Sequence, residues 1–331
     1  MCTAITHTAR DFYFGRTLDY EIDYHEEIVL TPRNVPFSFH KLGKMPSHYA
    51  MIGMGVVAQK PETKEDFPLY FEAVNECGLG IAGLNFVGNA HYQSCADGWD
   101  NLAPYELPLW ILGQCTTVRE AKAKLQKARI VSIPFSAQYP LAQTHWLLAD
   151  KTESLTLEPT AEGLMVYENP VGVLTNNPSF PQQLFRLNNF MGLSTEEPTN
   201  RFSDKLTLTT YSRGMGALGL PGDVSSESRF VRAAFTKLNS VCPGADEAER
   251  VNQFFHILGT VEQVKGVCRL KKDEYEVTQY TCCCNADKGI FYYTTYENHR
   301  ISAVDMHREN LDGSAVLCYP LKRKEEIEFL N

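Results

Sequence analysis

Runs of apolar residues at strand and helix spacing divide the chain into strand-rich ends around a mixed middle. Near the N-terminus, Phe12-Tyr13-Phe14-Gly15-Arg16, Glu27-Ile28-Val29-Leu30 and Tyr49-Ala50-Met51-Ile52 are short apolar or aromatic runs that predict strands separated by turns. Residues 58–70 carry charges and two prolines and predict a surface loop. From Gly78 to Phe86 every residue but Asn85 is apolar or glycine. That run predicts a buried strand whose glycines admit close approach of another backbone or a ligand. Thr117-Val118-Arg119-Glu120 is a capping box, and Val118, Ala121, Leu125 and Ala128 follow it on one helical face.

Further along, Trp146 to Ala149 and Val171 to Leu174 are strand candidates, and 192–224 is a long polar loop region. A helix is predicted from about Ser226 to Asn239. A second spans roughly 246–258, where Val251, Phe254, Phe255 and Leu258 recur at i, i+3, i+4 and i+7. Thr278 to Cys284 and Ile290 to Tyr296 flank Asn285-Ala286-Asp287-Lys288-Gly289, the signature of a hairpin. Strands at both ends with helices between, and no run of βαβ units or internal repeat, predict an α+β fold built on antiparallel sheets.

Composition changes this picture little. With 44% hydrophobic and 21% charged residues and no linker-like tract, the chain is expected to form one domain over 1–331. The net charge of −9 argues against nucleic acid or an anionic membrane as partner, since both call for a basic face. An anionic substrate would have to be met by local arginines. No stretch reaches the roughly 18 apolar residues of a membrane span. The start, Met1-Cys2-Thr3-Ala4-Ile5-Thr6-His7, lacks a basic segment followed by an apolar one, so a cytoplasmic protein is expected, with its ten cysteines reduced.

The chemistry begins at Cys2. Residue 2 is small enough for the initiator Met1 to be removed, which would leave a thiol and a free α-amine on one residue. An α-amine titrates near 7.7–8.0, so it can be neutral and act as a base close to pH 7. A thiol is deprotonated more readily beside a cation. One residue can therefore supply nucleophile and base. Arg16 would supply the cation and Asp19 a hydrogen-bond acceptor for the amine, although spacing alone fits a surface ion pair better. Asn85, in its apolar run, has an amide suited to an oxyanion or to a structural turn. Asn176 stands before Asn177-Pro178, where turn chemistry is the ordinary account. Arg229 falls near a helix start, where a cation opposes the helix dipole and so invites another task.

Other motifs lead nowhere. Gly214-Met215-Gly216-Ala217-Leu218-Gly219 has the spacing of a dinucleotide loop but runs into Leu220-Pro221-Gly222-Asp223 instead of a helix. Cys282-Cys283-Cys284 has no second Cys/His pair at zinc spacing, and neighbours in a strand face opposite ways, so packing is expected there. The nine histidines show no HExxH pairing, and His256 is expected to be structural.

Taken together, Met1-Cys2-Thr3, Phe14-Gly15-Arg16-Thr17-Leu18-Asp19, Asn75 to Gly80 leading to Gly83-Leu84-Asn85-Phe86, Gly172 to Pro178, Leu220-Pro221-Gly222-Asp223 with Ser228-Arg229-Phe230, Asp273 to Tyr280, and Tyr293 to Asn298 occur in a specific order. In that order the chain resembles the choloylglycine hydrolase family, the bile salt hydrolases and penicillin V acylases, over essentially its whole length. The resemblance implies a four-layer αββα sandwich of the N-terminal-nucleophile type, usually a homotetramer, with no metal or organic cofactor. It implies Cys2 as nucleophile, Arg16 and Asp19 as supporting charges, Asn85 and Asn176 as oxyanion and amine contacts, and Arg229 as a further active-site arginine. The acylase branch often carries Tyr where Asn85 stands, which favours the bile salt branch and a small, amphipathic, anionic substrate. Candidates for an apolar steroid trough are Leu18, Tyr20 and Tyr24, and Ile133, Phe135 and Leu141 in a Pro-flanked loop; core or loop packing is the competing account for each. Arg213, in Ser212-Arg213-Gly214, resembles the loop of members favouring glycine conjugates, and an exposed solvated arginine is its alternative. The rival functions are a penicillin V acylase and an inactive sterol-binding or thiol-redox protein.

Overall fold

The computed structural model describes residues 1–242 and 246–331. Two antiparallel sheets form its centre. In the first, the strands run in the order Val173–Leu174, Cys2–Thr8, Phe12–Tyr20, Glu274–Asn285, Ile290–Thr295 and Asn298–Asp305, with Cys268–Lys271 paired to the Glu274–Asn285 strand. The second has eight strands in the order Gly163–Glu168, Ser154–Thr160, Thr144–Ala149, Gly80–Asn85, Asp66–Asn75, Met51–Gln59, Glu27–Thr31 and Leu317–Pro320.

Side chains alternate across a strand, and that alternation builds the layers. In the first sheet Cys2 lies opposite Leu18 and Ala4 opposite Arg16, which puts all four on one face. This face meets the second sheet, because Arg16 donates to the Phe71 and Gly83 carbonyls and Tyr280 reaches Glu72. Thr3, Thr17 and Asp19 take the opposite face, covered by helices Ser226–Asn239 and Glu247–Gly259. On the far side of the second sheet, Met51, Ala73, Ile81 and Leu148 pack with Leu109 and Ile111 of helix Leu107–Leu112 and Val118 of helix Val118–Leu125. The result is the expected αββα sandwich.

Local signals explain which elements were legible. Ser225 caps its helix by accepting from the Ser228 N–H at 3.4 Å, Asp246 does so from Glu249 at 2.9 Å, and Thr117 accepts from Glu120 at 3.2 Å. The loop expected at 58–70 is shorter than foreseen. One strand runs to Gln59 and the next begins at Asp66, with Pro68 paired opposite Val57 inside the ladder. Val171 and Gly172 precede the short strand Val173–Leu174 and are not part of it. Strands Ser154–Thr160 and Gly163–Glu168, and the six- and seven-residue helices Leu107–Leu112 and Phe180–Arg186, were not anticipated. The two helices span fewer than two turns and contain proline, so no periodicity could develop.

All ten cysteines are free thiols, and Cys282, Cys283 and Cys284 are fully buried in their strand. His256 is exposed and not part of the core. Among the described residues no helix is long and apolar enough to cross a membrane.

Gly15 sets the spacing between the Phe12–Tyr20 and Glu274–Asn285 strands, since a methyl there would overlap the Cys282 carbonyl oxygen. Gly15→Ala is expected to cost about 1–3 kcal/mol of unfolding free energy by overpacking. A urea titration showing no loss would mean that the strands part freely at this point.

Candidate active site

The N-terminal strand ends in a knot of buried polar groups. Cys2 is 2% exposed; its backbone N–H donates to Asn176 Oδ1 at 2.9 Å and its carbonyl accepts from Arg229 Nη1 at 2.5 Å. The same guanidinium donates to Thr3 Oγ1 at 2.6 Å and, through Nη2, to Asn176 Oδ1 at 2.8 Å. Its Nε donates to the Val224 carbonyl at 3.1 Å. Arg229 occupies the first turn of its helix, where the dipole does not favour it, because these partners lie toward Cys2. Burial lowers its pKa, with Asp19 and Cys2 opposing that shift.

Asp19 is fully buried on the helix-covered face. Its Oδ1 accepts from Thr278 Oγ1 at 2.7 Å, its Oδ2 from Thr17 Oγ1 at 3.2 Å, and Arg229 Nη1 is 3.9 Å from Oδ2. The contact expected between this carboxylate and the Cys2 α-amine belongs to the chain without Met1. With Met1 in place, the terminal ammonium donates to the Asp19 backbone carbonyl and meets the Glu276 carboxylate. The Asp19 N–H donates to the Met1 carbonyl at 2.8 Å, so Met1 prolongs the strand by one residue.

Asn176 is fixed from several sides. Its N–H donates to Ser226 Oγ at 2.8 Å, Gln183 Nε2 donates to its carbonyl, and its own Nδ2 donates to the Asn85 carbonyl at 2.8 Å. Asn85 differs from expectation. It ends its strand instead of lying within it, it is half-buried, and its side-chain amide makes no hydrogen bond among the described residues. An amide left free beside Asn176 is available as a donor. Arg16 is 1% exposed on the Cys2 face; burial opposes its charge, but Cys2, Tyr280 and Glu72 raise its pKa above the ordinary value.

The structure thus joins Cys2, Asn176 and Arg229 by hydrogen bonds, sets the Asp19 carboxylate 3.9 Å from Arg229 as its counter-charge, places Arg16 on the Cys2 face, and ties Asn85 to Asn176. The candidates for the apolar trough are more scattered. Leu18 shares the Cys2 face, and Tyr20 stacks on Tyr24 at 5.4 Å, with Tyr24 also against Phe71 at 5.5 Å. Phe135 packs with Phe67, Tyr105 and Tyr139 in the second apolar cluster, apart from the cluster holding Cys2. Ile133 and Leu141 are half-buried, and Arg213 is exposed. Thr3, Ser226, Gln183 and Glu276 were not foreseen. Only the cap motif around Ser225 and Ser226 carried any signal. Among the described residues no group of three or more His, Cys, Asp and Glu side chains is placed to hold a metal ion.

Comparison with known proteins places the chain in a family. Residues 2–319 match the family described as linear amide C–N hydrolases, choloylglycine hydrolase family. A bile salt hydrolase/transferase of Lactiplantibacillus plantarum is 51% identical over the full length of both chains, and one of Clostridium perfringens is 37% identical over the same extent. A crystal structure of the C2A mutant of the conjugated bile acid hydrolase from Clostridium perfringens superposes with a TM-score of 0.90 at 36% identity, covering all of both chains. Penicillin V acylase from Agrobacterium tumefaciens shares the fold, with a TM-score of 0.76 at 18% identity over 97% of this chain and 92% of that one.

Removing Arg229 would leave the buried Asp19 carboxylate and the Cys2 carbonyl short of a partner. Arg229→Leu is expected to cost about 3–5 kcal/mol of unfolding free energy, whereas Arg213→Ala at the surface stays within about 0.5 kcal/mol. Equal losses in a denaturant titration would contradict this account of the knot.

Proposed function

The chain belongs to the choloylglycine hydrolase family and is an amidohydrolase, and from that premise we propose that it is a bile salt hydrolase, cleaving glycine- or taurine-conjugated bile acids with Cys2. The observation that carries the proposal is the convergence of Asn176 and Arg229 on the two backbone groups of Cys2, with Asp19 behind them. A chain end held this tightly is arranged for chemistry at that end.

Met1 must leave first. While it is present, the Cys2 nitrogen is an amide without basic character. Burial lowers the pKa of the terminal ammonium at this end of the strand, against the pull of Cys2 and Asp19 and with help from Arg229 and Arg16. Removal of Met1 carries the amine one residue inward, to Cys2. That amine takes the thiol proton as sulfur attacks the substrate carbonyl. Asn85, with a backbone N–H, stabilises the oxyanion; one such donor is worth about 10²–10³ in rate. The protonated amine then gives its proton to the departing glycine or taurine nitrogen. Water activated by the same amine releases the bile acid from the thioester.

Asn176 orients the amine through its Oδ1, and Arg229 fixes both. Leu18, Tyr20 and Tyr24 form the apolar side of the substrate site, with the half-buried Ile133 and Leu141 and the loop of Phe135 as its further candidates. Arg213 meets the conjugate's carboxylate and favours glycine conjugates. The enzyme acts as a cytoplasmic homotetramer, a reading supported by the family resemblance.

Intact-mass measurement of the purified protein is expected to show a chain lacking Met1 that releases glycine from glycocholate faster than it hydrolyses penicillin V. Cys2→Ala and Cys2→Ser should each lower glycine release by about 10³-fold or more. Full turnover from either variant, or from protein that keeps Met1, would refute the proposal.

A further inference from the structure

Between the two sheets lies a buried acid for which the mechanism above has no use. Glu72 is 2% exposed in the otherwise apolar run Leu69-Tyr70-Phe71-Glu72-Ala73-Val74. Its carboxylate accepts the Tyr280 hydroxyl at 2.8 and 3.1 Å and Cys282 Sγ at 3.3 Å, both from the facing sheet. Arg16 Nε stands 3.6 Å from Glu72 Oε2, an ion pair without a hydrogen bond. Arg16 donates to the carbonyls of Thr17 at 3.2 Å, Phe71 at 3.4 Å and Gly83, while its Nη2 has no partner among the described residues.

An arginine and a carboxylate bind most strongly when two parallel hydrogen bonds join them face to face. Here the acid is satisfied by a phenol and a thiol, and the guanidinium by carbonyls. Cys2, which shares its face of the sheet, and Glu72 both act on the charge of Arg16. The other ionisable groups facing Glu72 are Cys284, on the strand of Tyr280 and Cys282, and Glu26, ahead of the Glu27–Thr31 strand. Burial pushes Glu72 up to about 7, against the opposing pull of Arg16, Tyr280 and Cys282.

We propose that Glu72 is a positioning residue that sets, through Arg16, how much positive charge reaches the Cys2 sulfur. The proposal rests on Cys2 being the nucleophile. Ionised Glu72 neutralises part of Arg16. Protonated Glu72 leaves Arg16 to act on Cys2 in full and makes its sulfur more reactive. As pH falls through the neutral range, Glu72 takes up a proton and frees Arg16 to act on Cys2, so the reactivity of Cys2 declines less steeply than that of a thiol beside a fixed charge.

The test follows iodoacetamide alkylation of Cys2 in the mature enzyme by mass analysis of the N-terminal peptide, from about pH 5 to 9. Glu72→Gln mimics the protonated acid. It is expected to alkylate about fivefold faster than wild type at pH 8 and at the wild-type rate at about pH 5.5. Tyr280→Phe removes a donor to the ionised acid, keeps Glu72 protonated to higher pH, and should alkylate faster than wild type at about pH 7.5. Parallel profiles for wild type and Glu72→Gln, or a slower variant at pH 8, would overturn the proposal. If thermal melting shows Glu72→Gln unfolded, Tyr280→Phe decides by the same criterion. These rates do not depend on turnover. An active Cys2→Ala enzyme sinks the nucleophile assignment, whereas flat alkylation differences sink only the role of Glu72.

Discussion

A chain terminus frays unless something holds it, and this site depends on how Arg229 holds the first residues of the first strand. One guanidinium, fully buried, reaches the Cys2 carbonyl, the Thr3 hydroxyl and the Asn176 amide, and lies close to Asp19. A buried cation is tolerable only when its donors are taken up and a counter-charge is near. Both conditions are met here by groups that also border the proposed nucleophile. Stability and chemistry at the terminus are therefore one problem, solved by the same contacts.

The layers deliver those groups from separate directions. The helix Ser226–Asn239 supplies Arg229 from one side of the first sheet, and the edge strand Val173–Leu174 leads into Asn176. The second sheet brings up Asn85 at the end of a strand and Glu72 within one. Alternation along the first strands sorts the charges: Asp19 goes to the helix side and Arg16 to the sheet side, while Cys2 acts on Arg16 and on Arg229. Coupling of Arg16 to Glu72 extends this division of charge into the space between the sheets.

Much of this was legible in the sequence, for physical reasons that differ by element. Helix Ser226–Asn239 is capped by Ser225 and Glu247–Gly259 by Asp246, and both show apolar periodicity, so their bounds are marked in the chain. Asp66–Asn75 was partly hidden because Pro68 argues against a central strand, and because Glu72 interrupts an apolar run that only the facing Tyr280 and Arg16 explain. The order of the motifs singled out Cys2, Arg16, Asp19, Asn85, Asn176 and Arg229 as site candidates. Their wiring was not legible. Nothing in local spacing says that Met1 pairs with the Asp19 backbone, or that Phe135 belongs to a different apolar cluster from Cys2. Those facts depend on long-range packing.

The central claim is that sulfur and amine on a single terminal residue break the amide together. It is tested most directly by acid-quenching the enzyme within milliseconds of mixing with glycocholate and mapping the acyl adduct by peptide mass. The account predicts a cholyl thioester, labile to hydroxylamine, on an N-terminal peptide that begins at Cys2. An adduct on any other residue, or steady turnover with Met1 still attached, would contradict it.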